Sequence, residues 1–189
     1  AGYTTIVGKR PSVIQTGCWA HVLRKYRDAL KDSPAQASSM MSLIAALFDV
    51  ESAAIESKLD PANVLALRAE RSRPILDRIR LLAESLRGHG SEQEAFGKAQ
   101  KYLFNQWPAL ARFLEDGRVP IHNNSCESAI RPVAVGRRNW LFTGSERGGR
   151  AAAIAYSLIE SCRRVEVDPY VYLRDVLVRV ATHPASRVD

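Results

Sequence analysis

The sequence predicts a mostly α-helical chain. Apolar residues recur at helical spacing over most of the 189 residues, and Pro, Gly and capping residues separate these stretches. Strand signal is confined to the beginning, at about Thr5–Val7 and Val13–Thr16. Nearly a hundred residues of predicted helix therefore lie between the last strand and the motif around Glu127.

The first helical pattern follows Gly17. Five apolar side chains there fall on one helical face, namely Trp19, Val22, Leu23, Tyr26 and Leu30. Ser33-Pro34 predicts the next start, because a capping residue precedes a proline at the first helical position, and Asp60-Pro61 repeats that signal. The apolar stripe between these two starts consists of Met41, Ile44, Phe48 and Ile55. The sequence thus predicts two helices before residue 60.

Pro74 is expected to kink or restart the helix that follows Asp60-Pro61. The next apolar stripe, which Gly88-His89-Gly90 ends, consists of Ile75, Leu76, Ile79, Leu82 and Leu86. Ser91-Glu92-Gln93-Glu94 predicts a capping box that opens a helix with Phe96, Ala99, Tyr102 and Leu103 on its face. A shorter helix is predicted from about Pro108 to Asp116-Gly117.

The last third of the chain carries three further start signals. Asn124-Ser125-Cys126-Glu127 fits a capping-box variant, with an Asn cap and the Glu carboxylate reaching back to a free backbone amide. Behind it, Pro132 allows about two turns of regular helix, or a bent helix. Gly148-Gly149 precedes a predicted helix bearing Ile154, Leu158, Cys162 and Val165. Asp168-Pro169 starts the last one, which bears Leu173, Val176, Leu177 and Val180.

Composition favours an anionic partner. The formal net charge is +7 and the pI is about 9.6, and 21 of the 27 basic residues are Arg. Arg can bind a phosphate with two hydrogen bonds, although an Arg-rich bias also arises in GC-rich genomes. The chain has three cysteines, which is an odd number and too few for a disulfide framework. They suit a reducing cytosol. No apolar run approaches the roughly 18 residues of a membrane span.

The segment from Ile121 to Arg150 carries the residues with chemical potential. Glu127 stands near its start, and it is followed by Arg131, Arg137, Arg138, Asn139 and Trp140, and then by Arg147 and Arg150 in a predicted Gly-rich loop. A carboxylate can hold a hard cation and arginines can hold phosphates, so the segment suits a metal ion and a phosphodiester backbone. A plain helix start is the alternative for Glu127. For Trp140, stacking on an unpaired base competes with packing against Leu141 and Phe142.

The same segment resembles the C-terminal signature of the insertion-sequence transposases of the sixty-six type, a DDE-transposase family. The matching residues are His122-Asn123-Asn124-Ser125-Cys126-Glu127-Ser128-Ala129-Ile130-Arg131-Pro132 and Gly136-Arg137-Arg138-Asn139-Trp140-Leu141-Phe142. Gly17-Cys18-Trp19-Ala20-His21 resembles the Cys-Trp-Ala-His block of that family. The segments at Tyr156–Glu160 and Asp168–Leu177 resemble its closing helices. The similarity covers nearly the whole chain in the same order.

The resemblance implies an RNase H-like α/β catalytic domain with a large helical insertion and three carboxylates that hold two Mg²⁺ ions. Glu127 matches the third carboxylate, as catalytic residue and metal ligand. The two aspartates are expected upstream of Ala1, so residues 1–189 are interpreted as one partial catalytic domain. Within it, residues 1–31 are the end of the sheet and the following helix, 32–120 the insertion, and 121–189 the glutamate motif and closing helices.

Several other residues acquire roles from the resemblance. Cys18 and His21 are expected to support the active site together with Asn123 and Asn124, and the DNA-binding candidates are Arg131, Arg137, Arg138, Asn139, Trp140, Arg147 and Arg150. His122 replaces the usual Asp and Ser128 the usual Arg, and each change weakens the site modestly. A zinc site formed by Cys18, His21, His122 and Cys126 is a further alternative.

The function implied is Mg²⁺-dependent DNA strand cleavage and transfer during transposition. Its partners would be transposon ends and target DNA, with a homo-oligomer assembled on them, no membrane, and a cytoplasmic, nucleoid-associated location. The alternative is a DNA-binding or assembly module, derived from a transposase, that has no catalysis of its own. Two aspartates in strands upstream of Ala1 in the complete gene would distinguish the enzyme from the module.

Overall fold

The computed structural model describes residues 13–140, with the side chain of Trp140 apart, and residues 143–184. These residues form eight α-helices: α1 Trp19–Asp28, α2 Pro34–Glu56, α3 Pro61–Leu67, α4 Arg73–Ser85, α5 Ala95–Ala111, α6 Asn124–Trp140, α7 Glu146–Arg164 and α8 Pro169–Val180. Short 3₁₀ turns follow α1 and α5, at Ala29–Lys31 and Arg112–Leu114. The mostly α prediction is confirmed, whereas the RNase H-like sheet stays a prediction.

The predicted strand at Val13–Thr16 is wrong. Residues 13–18 have no regular structure, and the ranges 13–140 and 143–184 contain no strand. A strand needs a neighbour that accepts and donates its backbone hydrogen bonds, and here the segment instead leads into a bond from the Gly17 amide to the Ala109 carbonyl at the end of α5, 2.7 Å long. The predicted strand at Thr5–Val7 lies outside the described residues.

The chain divides into two compact units, Ala1–Asn124 and Ser125–Asp189. In the first unit, α1 packs against α2 and α5, and α2 also packs against α4. The largest fully buried side chains of its core are Trp19, Tyr26, Phe96, Met40, Ile44, Leu47, Ile79 and Leu103. The apolar face predicted for α1 is confirmed at Trp19, Val22 and Tyr26, which are completely buried.

The stripe predicted for α2 is only partly correct. Ile44 is buried and Met41 and Phe48 pack partly against the core, but Ile55 is 76% exposed. The buried positions of this helix are Ala37, Met40, Ile44, Leu47, Val50 and Ala54. These residues recur at intervals of three and four. This spacing puts the small Ala54 on the buried face and the larger Ile55 beside it in solvent.

Proline signals had mixed outcomes. Asp60 caps α3, since its carboxylate accepts the Asn63 amide at 2.9 Å, and Pro74 restarts the chain as predicted, with a π-helical turn at Arg68–Ser72 before α4. The separate helix predicted from Pro108 is wrong, because α5 runs through that proline to Ala111. Burial of Phe96, Leu103 and Leu110 in the core outweighs the one backbone hydrogen bond that a proline removes.

The capping box predicted at Ser91 forms only in part. The Glu94 carboxylate accepts the Ser91 amide at 2.7 Å, but α5 begins at Ala95. The first amide of the helix is satisfied from a distant part of the chain, because the Asp32 carboxylate accepts the Ala95 amide at 2.7 Å. A carboxylate near the start of a helix also stabilises its dipole.

The sequence predicted no run of membrane-spanning length, but α2 is long and apolar enough to span a membrane by length and composition. Its mean hydropathy is 1.4, and it is the one such helix among the described residues. Its face formed by Met40, Ile44 and Leu47 lies in the core of the first unit, where all three are completely buried. The central helix of a globular core meets the same criteria as a membrane span.

In the second unit, α6, α7 and α8 leave much apolar surface exposed. Cys162 is the one large or sulfur-containing apolar side chain buried among its described residues, whereas Ile154 and Val165, predicted on the same face, are 63% and 68% exposed. The start signal at Asp168 is confirmed, since its carboxylate accepts the amides of Tyr170 and Val171.

Candidate nucleic-acid interface

Glu127 lies in the first turn of α6, and all neighbouring side chains that share its face are exposed. At 3.6 residues per turn, Arg131 follows one turn later and Arg138 three turns later on the same face, about 16 Å along the axis. Arg137 points roughly 80° away from this face. We call Glu127, Arg131 and Arg138 the α6 acidic–basic face. It presents one carboxylate and two guanidiniums in a row, which suits a cation beside a phosphate chain.

Pro132 lies inside α6 without ending it. The helix continues for 17 residues from Asn124 to Trp140, so the alternative of about two turns is wrong, and the other alternative, a bent helix, stays a prediction. Because proline has no amide hydrogen, the carbonyl four residues earlier lacks its helical hydrogen bond. Here that carbonyl belongs to the exposed Ser128, so water can hydrate it. The continuous helix is what brings Arg138 onto the face of Glu127, since a break at Pro132 would have separated them.

Arg147 and Arg150 were predicted to lie on a loop, but they lie on the first turns of α7. The helix begins at Glu146, and the Ser145 hydroxyl caps it by accepting the Gly148 amide at 3.0 Å. The Arg150 guanidinium pairs with Glu146 at 2.7 Å, and both side chains are more than three-quarters exposed. A surface pair of this kind is readily exchanged for a phosphate.

The segment before α6 is anchored in the first unit. The ring of His122 stacks on Phe48 of α2, with centroids 6.0 Å apart, and its Nδ1 accepts the Asn124 amide at 3.4 Å. Asn123 and Asn124 are exposed. His122, which the sequence presented as the loss of a charge, therefore has a packing role at the start of α6.

Cys18 and His21 flank the beginning of α1. Cys18 is 8% exposed and occupies the capping position with an extended backbone, and the His21 amide donates to its carbonyl at 3.2 Å. Burial raises the pKa of the neighbouring Tyr102, and the Cys18 thiol raises it further. At 8% exposure Cys18 is largely shielded from solvent, which is typical of a structural cysteine. Its proposed role beside Glu127 stays a prediction.

Among residues 13–140 and 143–184, no group of three or more His, Cys, Asp and Glu side chains is arranged to hold a metal ion. The zinc alternative, which requires Cys126 of the second unit together with Cys18, His21 and His122 of the first, stays a prediction. The carboxylate of Glu127 is of the type that Mg²⁺ prefers, but one carboxylate supplies a single ligand of the several that the ion needs. The described residues therefore do not form a complete Mg²⁺ site by themselves.

A cleft beside α6 is lined by polar residues that no sequence motif had indicated. Ser125 and Ser128 of α6 face Arg163 and Arg164 at the end of α7 across this cleft. The signal was present in the sequence as Arg163-Arg164, two adjacent cations at a helix C-terminus. That position is also favoured by the helix dipole, so the pair resembled an ordinary helix end.

Family models match nearly the whole chain. One, described as the transposase IS66 family, matches residues 1–151, and another, the IS66 C-terminal element, matches residues 157–189. These matches define the class of protein, a transposase family. The chain belongs to the IS66 family, which confirms the resemblance of its motifs.

Three relatives from Sinorhizobium fredii (strain NBRC 101917 / NGR234) are similar to the chain, and each is named as an uncharacterized protein. The protein y4hP is 41% identical over 124 residues, which are 66% of this chain and 22% of the relative. The protein y4qI is 37% identical over 185 residues, 96% of this chain and 34% of the relative, and y4jD is 34% identical over 168 residues, 87% and 32%. The chain spans about a fifth to a third of the length of these relatives. No solved structure matches it.

Proposed function

We propose that this chain is part of an insertion-sequence transposase that cleaves and joins DNA strands by phosphoryl transfer. Family membership supports a role in transposition, and the α6 acidic–basic face carries the proposal, because it places the matched glutamate in line with two guanidiniums. The net charge of +7 adds attraction for DNA.

In this proposal Glu127 is the catalytic carboxylate supplied by this chain. Mg²⁺, when bound, activates the attacking oxygen and stabilises the leaving one. The remaining carboxylates would come from parts of the longer protein. Arg131 and Arg138 would hold backbone phosphates beside the scissile bond, which fixes the strand in register with Glu127. Asn139 and Trp140, at the end of α6, would contact the strand further along.

The test is Glu127→Gln in a protein of the relatives' full length that contains this sequence. Cleavage of labelled transposon-end DNA should be abolished, because an amide replaces an anionic ligand at nearly constant size, while DNA binding measured by anisotropy should remain. Glu166→Gln, which removes an exposed carboxylate between α7 and α8, is the matched control and should cleave normally. Near-wild-type cleavage by the Glu127 variant would contradict the assignment.

A second candidate is a DNA-binding or assembly module without catalysis. The observation that favours it is the change of two residues of the resembled motif, with His122 in place of the usual Asp and Ser128 in place of the usual Arg close to Glu127. The same experiment separates the two candidates. A full-length wild-type protein that binds transposon ends but never cleaves them in Mg²⁺ or Mn²⁺ supports the module.

We also propose a cytoplasmic, nucleoid-associated protein that forms a homo-oligomer on transposon ends and target DNA. Transposase family membership and the basic composition support this location, since the substrate of a transposase is genomic DNA. Family membership also supports the homo-oligomer, because two transposon ends must be held together during transfer.

A further inference from the structure

The cleft between α6 and α7 has the chemistry of a phosphate site. Its volume is about 440 Å³, and the groups that line it include the hydroxyls of Ser125 and Ser128 on α6 and the guanidiniums of Arg163 and Arg164 on α7. All of these residues are exposed and belong to the second unit. Glu160, which also lines the cleft, adds one negative charge, so the lining is positive by one charge.

The two arginines differ in their partners. Arg163 donates from Nη1 to the Glu160 carboxylate at 2.7 Å, which orients its guanidinium and leaves its other donors available. Arg164 makes no side-chain hydrogen bond or ion pair with another residue of the described ranges. A guanidinium without a carboxylate partner beside two hydroxyls is a suitable donor set for a phosphate.

The cleft lies on the opposite side of α6 from Glu127. Residues 125, 128, 129 and 132 share one face of the helix, and Glu127 points roughly 150° away from its centre at 3.6 residues per turn. A helix with side chains is about 10–12 Å across. With about 3.4 Å along the axis per nucleotide of a strand, this width corresponds to roughly three nucleotides.

We propose that this cleft binds a backbone phosphate of the DNA strand whose scissile bond lies at Glu127, about three nucleotides away, through Arg164, Arg163 and the hydroxyls of Ser125 and Ser128. The assignment rests on the proposed function. The strand would cross the beginning of α6, with Glu127 on one side of the helix and the cleft on the other. The contact carries no base information, so it positions the strand without selecting its sequence.

The experiment measures the affinity of this chain for a labelled single-stranded oligonucleotide by fluorescence anisotropy between about 50 and 200 mM KCl. Arg164→Gln should reduce the log–log salt slope by about one, equally for unrelated sequences. Ser128→Arg adds a guanidinium to the cleft and should raise the slope by about one. The matched control is Arg174→Gln on α8, which should leave it unchanged. Thermal unfolding followed by circular dichroism shows that each variant folds.

An unchanged slope in both cleft variants, with a folded protein, would overturn the proposal. Calorimetric titration with inorganic phosphate distinguishes a free anion from DNA, because saturable phosphate binding that depends on Arg164, together with an unchanged DNA slope, would also overturn it. The cleavage assay distinguishes a failure of the cleft proposal from a failure of the proposed catalytic function. Normal cleavage with an unchanged slope refutes the cleft alone, whereas an Arg164-dependent slope without cleavage by the full-length protein refutes the catalytic function alone.

Discussion

The backbone amide of Trp19 donates to the carbonyl of Ile121 at 3.1 Å. This bond joins two segments about a hundred residues apart, the Cys18–His21 block and the residues that lead into α6. The indole of Trp19 donates to the Leu110 carbonyl at 3.0 Å, and Gly17 approaches Leu110 so closely that a Cβ would lie 2.8 Å from its amide nitrogen. The beginning of α1 is thus held between the end of α5 and the entry to α6.

Trp19→Phe should destabilise the first unit by about 1–3 kcal/mol, because the Leu110 carbonyl loses its indole donor in a fully buried position. Urea unfolding followed by circular dichroism measures the change. Tyr170→Phe, at a side chain that is 73% exposed on α8, serves as the aromatic control and should have little effect. Equal stabilities of the two variants would show that the indole bond contributes nothing.

Arg68→Met, which breaks a buried ion pair, should destabilise the protein more than Arg118→Met, which breaks an exposed one. Arg68 is 2% exposed, donates to both oxygens of Glu51 at 2.8 and 2.5 Å, and donates to the carbonyls of Phe113 and Asp116. Its removal leaves a largely buried carboxylate without a partner and should cost about 3–5 kcal/mol in the free energy of unfolding.

The double variant Arg68→Met with Glu51→Leu should recover part of that loss, because it removes the stranded charge as well. Arg118→Met, which breaks an exposed pair with Asp116, should change stability little. A single Arg68 variant as stable as the Arg118 variant in the same urea series would contradict a structural role for the buried pair.

Tyr26→Phe should change how stability depends on alkaline pH. Burial raises the pKa of Tyr26 above its usual value of 10.0, and its hydroxyl donates to Gln100 at 2.8 Å. Below pH 10 both folded and unfolded chains keep the phenol protonated. Above it, the unfolded tyrosine ionises first, so this group's contribution to wild-type stability falls as pH rises, by up to about 1.4 kcal/mol per pH unit.

At neutral pH the Phe variant should be less stable by about 1–3 kcal/mol, because Gln100 keeps a buried acceptor without its donor. Between pH 10 and 11 this deficit should shrink, because the variant lacks the ionising group. Urea unfolding of both proteins across this pH range gives the comparison. A deficit that stays constant with pH would mean that Tyr26 ionises in the folded chain at its usual pKa.

Local sequence signals predicted a helix start correctly where a side chain next to that start accepts the free backbone amides. Asp60 and Asp168 each cap a helix through their own carboxylates within three residues, and the sequence predicted both starts. The face of α1 was equally predictable, because Trp19, Val22 and Tyr26 recur at helical spacing and all three are buried. At the candidate site, the sequence predicted a helix start beside Glu127, and the structure places Glu127 in the first turn.

Predictions failed where a distant residue decides the local outcome. The start of α5 depends on Asp32, 63 residues earlier, and the sequence at Ser91 gives no sign of it. Pro108 was predicted to start a separate helix, but α5 continues through it to Ala111. Arg68 is buried because Glu51 and the carbonyls of Phe113 and Asp116 satisfy its guanidinium, and the residues next to it in the sequence give no sign of these distant partners.

The arginines of α6 provide a direct test of the DNA path. Arg137→Ala with Arg138→Ala should lower the log–log salt slope of DNA binding by about two, because each arginine is expected to replace about one counterion on the phosphates. The change should be similar for all DNA sequences, since phosphate contacts carry no base information. The matched control is Arg71→Ala with Arg78→Ala, two exposed arginines of the first unit, which should leave the slope unchanged. If the slope falls in the control and not in the α6 variant, the strand runs along the helical insertion, and Arg137 and Arg138 are surface charges.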